Sequence, residues 1–360
     1  MRIISDFPGG NCKFISAEYD DKKIIINLEQ EIRDTDPWWF YWCFKIEDAP
    51  EGEIEFAFHN KKVVCPHSAA TSTDGINWTW CENFIDHTHF RYNFSENESR
   101  YFAFCIPYVL SDFERFYDTI KNDVKRTVLA KSEKGRDLPL LTFGNGKRNI
   151  IFTARHHCCE SSGSYTLDGV VRAILKNHRS MLDDYKFHII PFTDIDGAEE
   201  GDQGKNRIPH DHNRDYSESP IYNYTKAIYE YTKNMDIAVF FDFHSPWCWG
   251  GLDDEPHLHL GPSVEPTPDL QEKFSKILSD LTLSDNGDNI IFKNHVTYIG
   301  EPANKPDAKN SKNFFKYERN ANISLCIETP YSGNLKNGYT VEQFYYWGGQ
   351  IAEALYETLK

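Results

Sequence analysis

The feature that most constrains this chain is an alternation that runs from near residue 111 to the C-terminus. Short apolar stretches trade places with longer segments whose apolar residues recur every three or four positions. The stretches 149–153 (NIIFT), 187–192 (FHIIPF), 237–243 (IAVFFDF) and 323–327 (ISLCI) read as strands. The segments 167–175, 222–231, 270–281 and 342–359 read as helices. A further helix is expected after Pro107, with Ser111 as its N-cap and Glu114 completing a capping box. Strands that are apolar throughout, separated by helices, predict an α/β unit with a mostly parallel mixed sheet flanked by helices.

The first 110 residues have a different rhythm. The runs 23–28 (KIIINL), 39–46 (WFYWCFKI), 54–58 (IEFAF) and 101–106 (YFAFCI) are short, aromatic or β-branched, and separated by turn signals such as Pro8-Gly9-Gly10, Glu51-Gly52 and Asp74-Gly75. Such spacing predicts an all-β sandwich. The chain therefore divides into a sandwich domain, 1–110, and an α/β domain, 111–360. Aromatics make up 15% of the residues, enough large rings to fill a core in each.

Charge and cysteine usage exclude several function classes. With 39 Lys and Arg against 55 Asp and Glu, the net charge is −16, the wrong sign for a nucleic-acid or anionic-membrane surface. No apolar run approaches the roughly 18 residues of a membrane span. The start, MRIISDFPGG, lacks a basic region followed by an apolar stretch, so no secretory signal is expected. Nine cysteines, an odd number with no CxxC pair, predict free thiols and a cytoplasmic location.

Ligands of open α/β sheets bind beyond the carboxyl ends of the strands. After 149–153 comes Ala154-Arg155-His156-His157-Cys158-Cys159-Glu160. After 187–192 a long loop leads to His210-Asp211-His212-Asn213-Arg214, the third strand runs into His244, and the fourth into Glu328. His157 and Glu160, three apart at a helix start, can face one point. With His244 they make a two-imidazole, one-carboxylate set of the kind that holds a catalytic zinc. Glu328 suits a general base acting on metal-activated water. Asn213 and Arg214 suit a clamp for a substrate carboxylate. Arg207 suits an oxyanion partner, and Asp211 a group that orients a zinc-bound imidazole. Each residue also has a plain reading. His157 and Glu160 fit a surface helix start, Glu328 a strand-end ion pair, and Arg214 an exposed loop cation. Cys158 or Cys159 could replace Glu160 as a ligand. His257 and His259 have strand-like spacing and could bind a metal, but a solvated loop fits them better. Trp247 and Trp249, beside Cys248, suit a pocket wall or plain core.

The joint set H-x-x-E, D-x-N-R, a strand-end His and a strand-end Glu resembles the zinc metallocarboxypeptidases, and most of all their cytosolic carboxypeptidase branch. Arg33-Asp34-Thr35 with Trp39-Phe40-Tyr41-Trp42, the segment 101–112 (YFAFCIPYVLSD) and the zinc loop 154–160 carry the likeness. Cys158-Cys159 stand where that branch usually has Pro-Gly. The resemblance implies one zinc ion held by His157, Glu160 and His244, with Glu328 as base and acid. It implies that Asn213 and Arg214 hold the terminal carboxylate of a peptide or amino-acid conjugate, and that Arg207 polarises the scissile carbonyl. The loop from Arg207 to Asn213 is shorter than the branch usually has. The resemblance also implies an assisting tyrosine, for which Tyr298 and Tyr317 are candidates, and a place for Lys312 in the specificity pocket. The sequence leaves open a zinc amidohydrolase, deacylase or muropeptide-trimming enzyme on the same site, and a binding protein with a vestigial peptidase domain.

Overall fold

Aromatic residues at alternate positions of facing strands give the N-terminal region its core. The computed structural model describes residues 1–20, 23–33, 35, 39–58, 62–81, 83–246, 255–262, 268–283, 293–297, 305, 307–333 and 338–360; Trp247, Cys248, Trp249 and Tyr298 lie outside these. Ten strands come first: β1 (Arg2–Ile4), β2 (Lys13–Asp20), β3 (Lys23–Glu29), β4 (Cys43–Ala49), β5 (Gly52–Phe58), β6 (Ala70–Ser72), β7 (Thr79–Trp80), β8 (Phe84–Asp86), β9 (His89–Phe94) and β10 (Glu98–Ala103). They form two five-stranded sheets, ordered β1-β4-β10-β6-β7 and β2-β3-β5-β9-β8. Phe44 and Phe102 of the first meet Phe56 and Phe90 of the second, with ring centroids 5.2–5.5 Å apart. Trp42 stacks on Phe90 at the end of this layer.

The run 39–46 is only half strand. Trp39 to Trp42 are buried but precede β4. Phe40 N donates to Gln203 Oε1 at 2.5 Å, so this backbone is satisfied by a loop of the α/β region and not by a neighbouring strand.

The α/β region contains α1 (Leu110–Ile120), β11 (Lys125–Lys131), β12 (Asp137–Phe143), β13 (Arg148–Ala154), α2 (Ser161–Asn177), α3 (Met181–Asp184), β14 (Tyr185–Ile190), α4 (Ile195–Glu200), α5 (Asn223–Thr232), β15 (Ile237–His244), β16 (His257–Pro262), α6 (Asp269–Leu283), β17 (Lys293–Thr297), α7 (Ser311–Asn313), β18 (Ile323–Glu328) and α8 (Val341–Leu359). Its eight-stranded sheet is ordered β11-β12-β14-β13-β15-β18-β16-β17. The four central strands are parallel, with β12 and β16 antiparallel on their flanks. The hairpin β11–β12, with charged ends and Pro139 in its second strand, was not expected from the pattern. Helix α1 starts two residues earlier than expected. Its cap is Val109, whose N–H donates to Asp112 Oδ2, while Glu114 pairs with Arg126. Among the described residues no helix is long and apolar enough to cross a membrane.

Register places the carboxyl ends of the central strands level. Ala154 lies opposite Phe243, and His244 opposite Glu328. Behind them, α2 packs on α8 through glycines. A Cβ on Gly348 would lie 2.3 Å from Thr166 O and 2.6 Å from Val170 N, both backbone atoms, whereas one on Gly349 would meet nothing within 4 Å.

These adjacent glycines should respond oppositely to alanine. Gly349→Ala gains helix propensity and should raise stability by about 0.5–1 kcal/mol. Gly348→Ala forces the helices apart and should cost about 1–3 kcal/mol. Chemical denaturation of the two variants beside the parent checks both signs.

Candidate active site and metal centre

The loop after β13 is held from beneath. Arg155 adopts φ +67°, a left-handed conformation uncommon outside glycine, and its buried guanidinium donates to the carbonyls of Tyr108 and Cys158. This turns His157 and Glu160 back over the sheet. Glu160 caps α2, where the partial positive charge of the helix end favours a carboxylate. His244 arrives as the last residue of the wholly buried β15.

The three side chains converge. His157 Nδ1 lies 2.9 Å from Glu160 Oε1, and His244 Nδ1 lies 2.7 Å from Glu160 Oε2. The potential ligand atoms of all three fall within 4.8 Å of one another. The far nitrogen of each ring is also fixed, His157 Nε2 by Asp211 Oδ2 at 2.9 Å and His244 Nε2 by Asp242 Oδ2 at 2.8 Å. A carboxylate on Nε2 selects the tautomer whose Nδ1 lone pair can face a metal. Two such imidazoles and a carboxylate fit zinc in both donor type and number.

Asp242, which the sequence reading passed over as a strand residue, organises the far side. It accepts from Thr153 Oγ1 and His156 Nδ1 at 2.7 and 2.9 Å, and from Ser311 Oγ. His156, Asp242 and His244 also stand close enough to form a metal-sized cluster. Asp242 thus takes hydrogen bonds from four side chains, His244 among them.

Burial and charge compete throughout. Burial alone would raise the Glu160 carboxyl, but Lys205, His157 and His244 hold it well below the carboxylate range. Burial would likewise raise Asp242, and His156 and His244 pull it down. Burial would lower His244, and Asp242 and Glu160 raise it. Glu328 goes the other way: burial lifts it above the ordinary value, against the pull of His244. Its Oε2 is buried without a hydrogen-bond partner, and its Oε1 lies 3.4 Å from His259 Nε2. His257 and His259 are thus in β16 beside Glu328, not in a solvated loop.

The remaining candidates fall in different places. Asp211 is held by His157 and by the N–H of Asn213 at 2.6 Å. Asn213 is buried, with Nδ2 3.1 Å from His244 Nε2 and Oδ1 accepting from Ser311 N. Arg214 is half-buried and donates to the Asn213 carbonyl; no carboxylate among the described residues forms an ion pair with it. Arg207 is paired with Asp194 at 2.8 Å and Asp202 at 3.4 Å. Both pairs engage the same guanidinium nitrogen, Nη2. The cation that touches the cluster is Lys205, with Nζ 2.7 Å from Glu160 Oε1. Its signal in the sequence was only its place two residues before Arg207. Cys158 Sγ donates to Asp202 O, and Cys159 Sγ sits 3.4 Å from Tyr331 OH. Burial pushes the Cys159 thiol up to about 12, and neither cysteine joins a metal-sized cluster of described residues. Tyr317 is exposed on the helical turn Phe314–Glu318, and Lys312 is buried beside it.

Comparison with known proteins places this geometry. Residues 111–259 match the zinc carboxypeptidase model and residues 3–105 the cytosolic carboxypeptidase N-terminal domain. The chain thus carries a zinc carboxypeptidase domain preceded by a cytosolic carboxypeptidase N-terminal domain. A Zymomonas mobilis protein of undescribed function is 23% identical over 95% of this chain and 92% of its own length. Cytosolic carboxypeptidase 6 of Caenorhabditis elegans is 25% identical over 43% of this chain, and cytosolic carboxypeptidase 2 of Homo sapiens 25% over 41%. The match spans only 39% and 19% of those two proteins. A Burkholderia cenocepacia metallo-carboxypeptidase superposes with a TM-score of 0.83 at 18% identity, covering 99% of this chain and 98% of its own. A Pseudomonas aeruginosa metallo-carboxypeptidase, solved with (2-guanidinoethylmercapto)succinic acid, gives 0.81 at 19% identity with both chains covered in full. The metallocarboxypeptidase fold follows from these superpositions, and the enzyme class from the zinc carboxypeptidase match over 111–259.

Zinc should raise the melting temperature of the metal-free protein. Asp242→Asn, which leaves every proposed ligand in place, should weaken zinc binding about 10–100-fold. Competition with a chromophoric chelator measures the change, and parent-like affinity in the variant would refute the support role given to Asp242.

Proposed function

We propose that the protein removes a carboxyl-terminal or side-chain-linked amino acid from a peptide in the cytoplasm, using one zinc ion held by His157, Glu160 and His244. The observation that carries this reading is the convergence of those three side chains at level strand ends beside Glu328. Bound zinc supplies a Lewis acid that polarises a carbonyl and makes water acidic enough to deprotonate near neutral pH.

The chain's own residues supply the rest. Glu328, unpartnered at Oε2, takes a proton from the attacking water as oxygen bonds to the carbonyl carbon. It gives that proton to the nitrogen as the carbon–nitrogen bond breaks, so a carboxylic acid and a free amine leave. Its raised pKa suits a group that must accept and then release a proton. Arg214, a half-buried cation without an ion-paired carboxylate among the described residues, suits the terminal carboxylate of the substrate. Asn213 supports the same end of the site from between His244 and Ser311. The succinic acid derivative held by the Pseudomonas relative is consistent with carboxylate recognition. In this reading 1–110 forms the sandwich domain and 111–360 the catalytic one.

Blocked dipeptides with free carboxyl ends test the reading. Glu328→Gln should lower kcat by about 10²–10⁴ with zinc content unchanged. Hydrolysis at the parent rate would refute its role. Arg214→Ala should raise KM about 10–100-fold for substrates with a free α-carboxylate, with little change for the amidated forms. An equal effect on both would remove the clamp from the mechanism and favour an amidohydrolase that does not read that carboxylate.

A further inference from the structure

Lys205 is the residue at this centre that neither the family pattern nor the mechanism above uses. Its ammonium donates to Ser245 O at 2.9 Å and ion-pairs with Glu160 Oε1 at 2.7 Å, while lying over the Tyr331 ring at 5.8 Å. Glu160 therefore receives a cation on the same oxygen that faces His157.

The loop that carries Lys205 is fixed on three sides. Gly204 has φ +79°, and a Cβ there would lie 2.6 Å from Cys158 N and 3.1 Å from His157 Cα. Only glycine lets this backbone lie flat on the loop that bears His157. Gln203 accepts the N–H of Cys159 on its carbonyl and the N–H of Phe40 on its side chain. Asp202 is paired with Arg33 at 2.7 Å. Lys205 thus reaches Glu160 from a backbone clamped between the sandwich and the zinc loop, and is not a long side chain free to swing away.

We propose that Lys205 is a built-in competitor for the metal, a positioning residue whose ammonium neutralises Glu160 in the metal-free protein and loosens zinc binding to the same carboxylate. The proposal rests on reading His157, Glu160 and His244 as the zinc ligands. A fixed positive charge against a ligand oxygen repels a divalent cation, and the low-dielectric interior strengthens that repulsion. The same charge keeps a buried carboxylate from standing uncompensated when no metal is present. The two effects have opposite signs on removal of the charge, and this separates a competitor from a lysine that merely holds the fold together.

The experiment uses the full chain, stripped of metal with a chelator. Zinc affinity is measured by competition with a chromophoric chelator, and melting temperature with and without zinc. Lys205→Gln keeps a donor for Glu160 and Ser245 but removes the charge. It should bind zinc about tenfold or more tightly than the parent while its metal-free form melts lower. Lys205→Met carries the same expectation should the glutamine variant fail to fold. Lys205→Arg should stay near the parent in both measures. A metal-free form that melts lower with zinc affinity unchanged or weaker overturns the proposal and leaves Lys205 as a structural residue. If the parent itself takes up no zinc, the ligand reading beneath the proposal falls with it.

Discussion

A fully buried carboxylate is the constraint around which this molecule is arranged. Glu160 is 0% exposed and sits under the first turn of α2. An isolated ionised carboxylate in such a place would be far too costly, so the structure surrounds it with positive or polarised groups: two imidazoles, an ammonium and a helix end. Each imidazole in turn leans on a second carboxylate, Asp211 or Asp242. The result is a chain of alternating charge that joins the ends of β13 and β15 to the segment after α4. Displacing any member leaves its neighbours buried without compensation, so local geometry and charge balance enforce each other.

That arrangement is hard to explain by stability alone. Buried ion pairs are often no better than well-packed apolar residues of the same volume, because desolvation offsets the attraction. A peptidase domain retained only as a scaffold could replace Glu160, Asp242 and His156 with apolar side chains at little cost. Keeping them, together with an unpartnered buried oxygen on Glu328, is what a centre that has to bind a cation and move a proton requires.

Much of this was legible in the sequence, and the reason is periodicity. The central strands are buried on both faces, so they appear as unbroken apolar runs, and the residue that ends each run falls at the level edge where ligands bind. His244 and Glu328 were found this way, and the structure puts them opposite each other. What was missed lacks such a signal. Asp242 lies inside its strand, where a polar residue breaks the pattern only once and its partners come from Thr153, His156 and Ser311, far apart in sequence. Lys205 sits in a loop without periodicity, and its closeness to Glu160 depends on the glycine before it and on contacts with the sandwich. The strand predicted at 39–46 failed in part for the same reason, since its first half pairs with Gln203 and no local pattern reports a partner over 160 residues away.

These same contacts bear on why the sandwich is there. Its link to the site is not a tether. Arg33 reaches Asp202 and the carbonyl of Glu200, Phe40 reaches Gln203, and Thr35 bridges to Arg207. All three residues touch one short segment, 200–207, which supplies Lys205 to the centre and passes into the turn that bears Asp211, Asn213 and Arg214. Loops ordinarily fix their backbone groups with water and tolerate movement. Here polar groups of the segment between β3 and β4 take that place, so the loop is held on that side and on the zinc loop side at once. The N-terminal region is therefore tied to the loop that carries Lys205, so the placement of the ammonium on Glu160 depends on both parts of the chain.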